Sequence, residues 1–378
     1  MTPGGGAPFG PLLVSIQQTA LSDCEKAVSF LQSDFWGRFK ARFGWKPLAY
    51  KLVWKGGETN TLLVLCRTLV NVRFRFFRLS LAYIPLGPQL PASCPAREAA
   101  LEELALALKK ELPPDTTFIR FDPPWLTDGA EAAAAPFPFI RSAADIQPPD
   151  TVLLDLKQSM ESIIEQMKPK WRYNARLALK KGVMIREAEA GDTKDMEVFY
   201  ALLKETSRRD GIAVHNIAYY KALFEERFFS ASNSPVTVKL YLAEHEGDVI
   251  AGIITLFRAP EAVYLYGASS NKKRNLMATY ALQLKAIEDA KASGCEKYDL
   301  FGIPPNDDPA HPMTGLYRFK TGFGGEIIHR PGSWDFPCRP VVYFLFRKAE
   351  SLRKEIRTLK KRFLGSIKKD AREKLNYF

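Results

Sequence analysis

One lysine of this sequence stands in a setting that could serve chemistry. Lys320 follows Tyr317 and Phe319 and precedes the glycines at 322, 324 and 325. A lysine held against aromatic rings is partly desolvated, so its charge acts strongly on a nearby oxyanion or phosphate. Glycines allow a close backbone approach to a ligand or a positive φ. The alternative is a surface lysine on a strand with a glycine-rich turn, because lysine is mostly exposed in proteins.

The segments that must position this lysine follow an order that occurs twice. In the first half the predicted helix, hairpin, strand, helix and strand are Asp23–Phe43, Ala49–Lys55 with Thr61–Leu69, Arg73–Ala82, Pro95–Leu112 and Thr117–Phe121. In the second half they are Ile217–Phe229, Val236–Ala243 with Val249–Phe257, Ala262–Gly267, Leu276–Ser293 and Lys297–Phe301. Asp23 is placed to cap the first helix.

A repeat of this length indicates two similar domains and not a solenoid of short units. The loose, alanine- and proline-rich stretch Gly129–Pro149 is predicted to connect them. We therefore expect domains at 1–149 and 150–331. The unit is α/β (α+β), with an antiparallel hairpin leading into a helix and a strand, and this pattern matches an acetyltransferase-like (GNAT) fold.

Composition narrows the class of protein. The chain has 378 residues with 46% hydrophobic and 25% charged residues, which is ordinary for a soluble globular protein. No apolar run approaches the length of a membrane span, and the N-terminal stretch lacks the features of a secretory signal. Five scattered cysteines favour a reducing cytosol over a disulfide framework or zinc site, and four scattered histidines argue against a metal centre. We expect no cofactor.

A basic segment begins the second half. Lys170, Arg172, Arg176 and Lys180 surround a predicted helix that also carries Trp171 and Tyr173. Basic residues interleaved with aromatic ones suit a phosphate backbone and stacked bases, so this helix is a candidate RNA-binding surface. The alternative is an amphipathic helix with Leu177 and Leu179 turned inward.

The C-terminal segment concentrates positive charge. Of a net charge of +12, residues 347–375 carry twelve Lys or Arg and four Asp or Glu. Apolar residues recur near helical spacing in this segment, at Leu345, Leu352, Ile356, Leu359, Phe363 and Ile367. Such a helix could dock on the first domain, lie on a membrane surface or contact RNA, and the sequence leaves these three open.

Seven stretches, taken in order, resemble the Fem family of peptidoglycan interpeptide-bridge aminoacyltransferases. They are 30–40, Ile119–Pro123, Lys170–Val183, Arg209–Ile212, Tyr264–Ser270, Tyr298–Ile303 and Tyr317–Gly325. The resemblance implies two tandem acetyltransferase-like domains, with the C-terminal segment, 332–378, returning to the first. The span from His215 to Val236 is too short for the coiled-coil arm of FemA, so the layout is similar to that of FemX.

The resemblance also implies an activity and roles for residues. The activity is transfer of an amino acid from aminoacyl-tRNA to the side-chain amine of the stem peptide of a peptidoglycan precursor, either lipid II or its nucleotide-linked form. Such an enzyme is expected in the cytoplasm, and the basic C-terminal helix could bring it to the inner face of the membrane. The implied catalytic residues are Lys320, Phe319 and Asp122. The implied substrate-binding residues are Lys40, Trp36, His215, Tyr219, Tyr266 and Tyr317.

At one position the sequence differs from the pattern of the Fem family, and two other functions remain as alternatives. FemX has a phosphate-binding arginine where this chain has His215, and a neutral imidazole is a weaker phosphate partner than guanidinium. The first rival is a CoA-dependent acetyltransferase, but the stretch Asn271–Ala278, which would hold the pyrophosphate, contains no glycine. The second rival is a non-enzymatic adaptor that binds RNA or a membrane surface.

Overall fold

The computed structural model describes residues 11–71, 78–127, 129, 135–189, 193–226, 236–353 and 355. Its strands form two seven-stranded sheets. The first contains β1 Leu13–Thr19, β2 Lys46–Trp54, β3 Thr59–Asn71, β4 Arg78–Ile84, β5 Thr116–Phe121, β6 Ile140–Arg141 and β14 Trp334–Pro337. The second contains β7 Thr151–Asp155, β8 Met184–Glu187, β9 Thr237–His245, β10 Asp248–Arg258, β11 Glu261–Ser269, β12 Lys297–Asp299 and β13 Glu326–Ile328.

The described α-helices cover both sheets. They are α1 Asp34–Ala41, α2 Arg97–Glu111, α3 Met160–Gln166, α4 Pro169–Lys180, α5 Thr193–Asp210, α6 Ile217–Glu226, α7 Ala278–Ala292, α8 Thr314–Thr321 and α9, residues 340–353. In the described part of the chain, no helix combines the length and the apolar character that crossing a membrane requires.

The two sheets share one topology, as the repeat in the sequence predicted. In the first, the antiparallel strands β2, β3 and β4 lead through α2 to β5, which lies parallel to β4. In the second, β9, β10 and β11 lead through α7 to β12, parallel to β11. The order β1-β2-β3-β4-β5-β14-β6 corresponds strand for strand to β8-β9-β10-β11-β12-β7-β13. These sheets confirm the α/β class, while the domain limits at 149 and 150 stay a prediction.

Strand β14 shows how the chain closes the first sheet. It pairs antiparallel with β5 more than 200 residues away, and β7 occupies the equivalent place beside β12. A buried ion pair fixes this join, because Arg120 on β5 donates to both carboxylate oxygens of Asp335 at 2.7 and 2.9 Å. The segment after the second sheet therefore returns to the first.

One predicted helix boundary and two of the alternatives weighed from the sequence need correction. The helix expected from Asp23 begins only at Asp34, because the Ser33 hydroxyl accepts from the Trp36 N–H and two 3₁₀ turns precede it. The stretch around Lys320 is the helix α8 and not a strand with a turn. On α4, Leu179 is exposed and does not face inward. Residues 73–77 and 227–229 of the predicted elements, residues 130–134 of the predicted connector, residue 354 and those after 355 lie outside the described residues.

One apolar cluster joins the two halves. It holds Phe39 and Phe118 of the first half together with Tyr219 and Leu240 of the second. A surface ion pair between Arg42 and Glu225 adds a second connection at 2.5 Å. The two sheets therefore pack into one body, with aromatic side chains filling the space between them.

Candidate active site

Helix α8 buries the lysine singled out by the sequence. Lys320 is only 5% exposed, and its Nζ donates to the carbonyl oxygens of Phe301 and Gly302 at 2.8 and 2.9 Å. The same Nζ lies 5.1 Å from the centre of the Tyr264 ring. The ammonium is thus held by carbonyl dipoles and a ring, and none of the ion pairs between described residues neutralises it.

This burial changes the acidity of the lysine. Desolvation lowers the pKa of Lys320 to about 7, and the nearby Asp299 carboxyl opposes the shift. Near neutral pH the side chain can therefore hold or release a proton. A buried lysine of this kind can stabilise a developing negative charge and can also give a proton to a leaving oxygen.

The glycines after Lys320 serve the placement of α8. A Cβ atom on Gly322 would lie 2.1 Å from the Trp171 indole, so the helix end can press against that ring only without a side chain. Gly325 has φ +83°, and a Cβ there would meet the Leu153 carbonyl oxygen at 2.4 Å. Both glycines let α8 approach α4 and β7, which fixes the position of Lys320.

A cavity of about 820 Å³ opens beside α8. Its wall includes Phe319 and Tyr264, while Lys320 lies behind that wall. The mouth carries Arg209, Lys272 and Arg274. The cavity forms where β11 continues to Ser269 after its parallel partner β12 has ended at Asp299, and ligands bind at such openings beyond strand ends in α/β sheets.

A β-bulge in β11 aims two tyrosines at different places. The register with β10 shifts between Ile254 and Thr255, so Leu265 is an extra residue without a partner. Tyr264 consequently packs in the core beside the cavity, and Tyr266 packs in the cluster between the two halves. Bulges often re-aim side chains at functional sites.

Of the residues predicted to bind substrate, Trp36, Tyr219 and Tyr266 lie in that interface cluster. Trp36 and Tyr219 border Lys40 together with Trp45, which the sequence analysis did not name. The Lys40 Nζ is 5.2 Å from the Trp36 ring centre, 5.6 Å from that of Trp45 and 5.7 Å from that of Tyr219. We call these four residues the lysine cradle. Burial lowers the pKa of Lys40 to about 8, with a further contribution from the charge of Arg67.

Arg67 on β3 is a functional candidate that the sequence analysis missed. Its guanidinium carbon lies 5.4 Å from the centre of the Trp45 ring that Lys40 also contacts. Among the described residues neither cation has an acidic partner, and the buried Trp36 Nε1 has no hydrogen-bond acceptor. Two cations and a free N–H without acceptors are suited to an anion with several oxygens.

His215 contacts the lysine cradle through its aromatic ring and does not add a positive charge to it. It stacks on Tyr219 with ring centres 3.8 Å apart and an interplanar angle of 15°. Burial and then the Lys40 charge lower the pKa of His215. The same cluster contains Tyr266, which donates a hydrogen bond to Tyr219, whose pKa burial raises to about 12.

Phe301 links the cradle with the buried lysine. Its side chain packs against the interface cluster, and its carbonyl accepts from Lys320. The residue has φ +57°, a strained value for a non-glycine residue, and such strain is often found at functional sites. Lys320 thus lies between the cavity on one side and the aromatic cluster of the cradle on the other.

Asp122 directly follows β5 of the first sheet, apart from Lys320. It is buried, accepts from the Ser333 hydroxyl at 2.5 Å and also accepts from the Tyr83 hydroxyl. Burial raises its pKa to about 6 against these two hydrogen bonds. Tyr83 packs 6.1 Å from Trp45 of the cradle, so Asp122 is connected to the Lys40 side of the site. No contact between described residues joins Asp122 to Lys320.

The basic helix α4 flanks the cavity. Trp171 donates to the Phe319 carbonyl at 2.8 Å and packs 5.6 Å from Tyr280 in the cavity wall. The predicted RNA-binding residues Lys170, Arg176 and Lys180 are exposed, whereas Arg172 donates to the carbonyls of Glu165 and Met167. Tyr317, predicted to bind substrate, is half-buried on α8 and packs with the second-sheet core.

Two lysines with no acidic partner among the described residues lie in these tandem α/β units, Lys320 beside a cavity and Lys40 among aromatic rings. Comparison with known proteins gives the family. A family model described as the FemAB family matches residues 137–232 and 236–351, more than half of the chain. The chain belongs to the FemAB family.

Named relatives and a solved structure agree with this assignment. The chain is 22% identical over 261 residues to a lipid II:glycine glycyltransferase of Staphylococcus epidermidis (strain ATCC 35984), covering 54% of this chain and 62% of the relative. It is 21% identical over 266 residues to one of Staphylococcus aureus (strain USA300), with the same coverage. The chain therefore spans about three fifths of the length of the curated relatives it matches. The crystal structure of FemX has the same fold, with a TM-score of 0.72 and 18% identity over 88% of this chain and 99% of FemX.

Proposed function

We propose that this protein transfers an aminoacyl group from aminoacyl-tRNA to the side-chain amine of the stem peptide of a peptidoglycan precursor. The observation that carries the proposal is the position of Lys320, buried between the cavity and the interface cluster. The donor would occupy the cavity and the acceptor would occupy the cradle. The names of the relatives, lipid II:glycine glycyltransferases, support this class of acceptor.

The acceptor side recognises phosphate in this proposal. Lys40 and Arg67, with the unpaired Trp36 N–H, would bind the diphosphate that lipid-linked and nucleotide-linked precursors share. His215 and Tyr219 form an aromatic wall beside it. Arg67 then supplies the second positive charge that His215 cannot supply with its lowered pKa.

The donor side uses the basic helix and the cavity. The exposed cations Lys170, Arg176 and Lys180 of α4 would contact the RNA backbone. The 3′ end would enter the cavity past Arg209, Lys272 and Arg274 at its mouth, and a base or the aminoacyl group would rest on Phe319. Tyr317 is assigned to the donor side because it lies on α8 with Phe319.

The reaction is the aminolysis of an ester. The neutral amine forms a bond to the acyl carbon, the carbonyl oxygen becomes an oxyanion, and the bond to the ribose oxygen then breaks. The proton lost by the amine must end on that ribose oxygen. Lys320 stabilises the negative charge as an ammonium, and its pKa of about 7 lets it pass a proton to the leaving oxygen.

Asp122 has a supporting role in this scheme. Its carboxyl is occupied by the hydroxyls of Ser333 and Tyr83. It therefore acts through Tyr83 on Trp45 and positions the lysine cradle, in place of the direct base role that the family resemblance implied.

A CoA-dependent acetyltransferase is disfavoured by the loop before α7. A pyrophosphate cradle needs free backbone N–H groups at a helix start. Here the N–H groups of Leu276, Met277 and Tyr280 donate to carbonyls within the loop itself. The positive-φ positions are Lys273 and Met277, which carry side chains where such a cradle uses glycine.

A transfer assay tests the proposal and its rival together. Purified full-length chain is incubated with a labelled aminoacyl-tRNA mixture or with labelled acetyl-CoA, and with either the nucleotide-linked or the lipid-linked precursor. We expect label on the stem peptide only from aminoacyl-tRNA. Label from acetyl-CoA, or none from any aminoacyl-tRNA with either acceptor, would contradict the proposal. One of the two proposed acceptors, the lipid-linked precursor, is anchored in the membrane. We therefore propose a cytoplasmic enzyme that works at the inner face of the membrane.

A further inference from the structure

Helix α9 has two apolar faces, and the inner one fixes it to the first sheet. Tyr343 and Phe346 pack on Phe118 of β5, with ring centres 5.2 and 5.4 Å away. The Tyr343 hydroxyl also donates to the Asp335 carboxylate at 2.9 Å. These contacts fix the first turns of α9 on the first sheet and determine which side of the helix faces outward.

The outer face is apolar and uncovered. Val341 is 74% exposed, Phe344 52%, Leu345 55% and Leu352 58%. Positions 341, 345 and 352 fall on one line at 3.6 residues per turn, with Lys348 between them and Phe344 at its edge. Val341, Phe344 and Leu345 thus form an exposed apolar patch within about one turn, and Lys348 separates it from Leu352. Adjoining exposed apolar residues mark an interaction surface, whereas single ones do not.

Charge indicates the partner of this face. Arg347 and Arg353 flank the outer face and Lys348 lies within it, and the sequence from 347 to 375 carries a net charge of +8. Basic residues around an apolar helix face are typical of segments that lie on anionic lipid. RNA would satisfy the charges, but it offers no apolar phase in which leucine and phenylalanine side chains can be buried.

We propose that the outer face of α9 docks this protein onto an anionic lipid bilayer, with Val341, Phe344, Leu345 and Leu352 entering the headgroup region. Tyr343 belongs to the same core cluster as Tyr83 and Tyr219, which adjoin the lysine cradle. A docked α9 would therefore hold the cradle at the surface where a lipid-linked acceptor is found. This purpose rests on the proposed function, whereas the docking itself does not.

Vesicle sedimentation with the full-length chain tests the docking. The vesicles are phosphatidylcholine alone or phosphatidylcholine mixed with phosphatidylglycerol, and they contain neither donor nor acceptor. We expect binding to the anionic vesicles that weakens as salt is raised. The double variant Leu345→Glu/Leu352→Glu should weaken it by about tenfold or more, because two apolar side chains leave the lipid. Leu106→Glu, at a 47% exposed leucine of α2, is the matched control and should bind like wild type.

Each other outcome would overturn the proposal. Absence of binding to anionic vesicles, or equal binding by the double variant, would show that α9 does not dock on lipid. A wild-type dimer that the double variant converts to a monomer would mean that a second copy covers the face. Loss of RNA binding in place of vesicle binding would assign the face to RNA. Leu345→Ser/Leu352→Ser, a milder change, replaces the glutamate variant if that variant melts early. Transfer to the soluble nucleotide-linked acceptor should be normal in both, so a failed docking stays distinct from a failed transferase.

Discussion

The two lysines of the site are held in different ways by the two halves of the molecule. Lys40 lies among three aromatic rings, and the guanidinium of Arg67 contacts one of them, the Trp45 ring. Lys320 is enclosed, and two carbonyl oxygens accept hydrogen bonds from its ammonium. Both lack an acidic partner among the described residues, and burial lowers the pKa of both.

The difference indicates two tasks. An open cradle with two cations and an unsatisfied N–H is suited to an anion that is present throughout the reaction, such as a diphosphate. An enclosed lysine with two of its three N–H donors held by carbonyl oxygens is suited to a charge that exists only in the transition state, because its field is strong and already oriented. We therefore expect loss of Lys40 to weaken binding and loss of Lys320 to slow the chemical step.

The largest expected effect is the pH-dependent loss of folding stability that burial of the Lys320 ammonium causes. Its folded-state pKa of about 7 lies below the ordinary value of 10.5, so the unfolded chain takes up the proton first as the pH falls. Relative to Lys320→Met, wild type should lose stability from about pH 10.5 down to pH 7, and the difference should be constant below that. The expected slope is about 1.4 kcal/mol per pH unit. Urea unfolding of both proteins between pH 6 and pH 10 measures it, with Lys46→Met correcting for removal of an exposed lysine.

Parallel curves of unfolding free energy against pH for wild type and Lys320→Met would contradict the proposed difference between the two lysines. They would mean that Lys320 titrates alike in the folded and unfolded states, and the enclosed lysine would then have no special acidity to use in catalysis.

The second prediction tests the cradle. Lys40→Ala/Arg67→Ala removes both cations, and each charge-assisted hydrogen bond to phosphate contributes about 1.5 kcal/mol or more. The KM for the nucleotide-linked acceptor should therefore rise about 100-fold, with kcat changed far less. Lys46→Ala, an exposed lysine on β2, is the control. A large fall in kcat at unchanged KM would transfer the chemical role to this side of the molecule and reverse the assignment.

The third prediction tests how α8 is positioned, with two glycines of the same segment. Gly322→Ala places a methyl against the Trp171 indole, and we expect a loss of about 1–3 kcal/mol in stability and a lower kcat. Gly315→Ala meets nothing within 4 Å and should stabilise the helix by up to about 1 kcal/mol. Thermal melts and steady-state rates of both variants give the answer. Equal behaviour of the two would show that the contact with Trp171 does not position Lys320.

Much of this arrangement could be predicted from the sequence. The order of helices and strands in the two halves was readable because each element has its own periodicity. Lys320 and Lys40 could be named because the resemblance to a family supplied their context, and the structure places both among aromatic side chains. Their roles stay predictions.

Other features could not be predicted because they depend on residues distant in the chain. Arg67 looks like one more polar residue on a strand until β2 brings Trp45 beside it. The pairing of β14 with β5 joins segments more than 200 residues apart, and the residues of either strand do not indicate the partner. The bulge at Leu265 has no recognisable signal in the sequence, although it determines the directions of the Tyr264 and Tyr266 side chains. The glycines after α8 suggested a turn or a ligand, whereas Gly322 fits the helix end against Trp171 and Gly325 fits the chain against β7.

The most direct test is the single-turnover rate of aminoacyl transfer by Lys320→Ala at saturating acceptor, with aminoacyl-tRNA binding measured separately. The account predicts a rate lower by a factor of about 100 to 1,000, which corresponds to about 3 kcal/mol, while binding of both substrates stays within about threefold of wild type. A rate within about threefold of wild type, or a loss fully explained by weaker RNA binding, would contradict it.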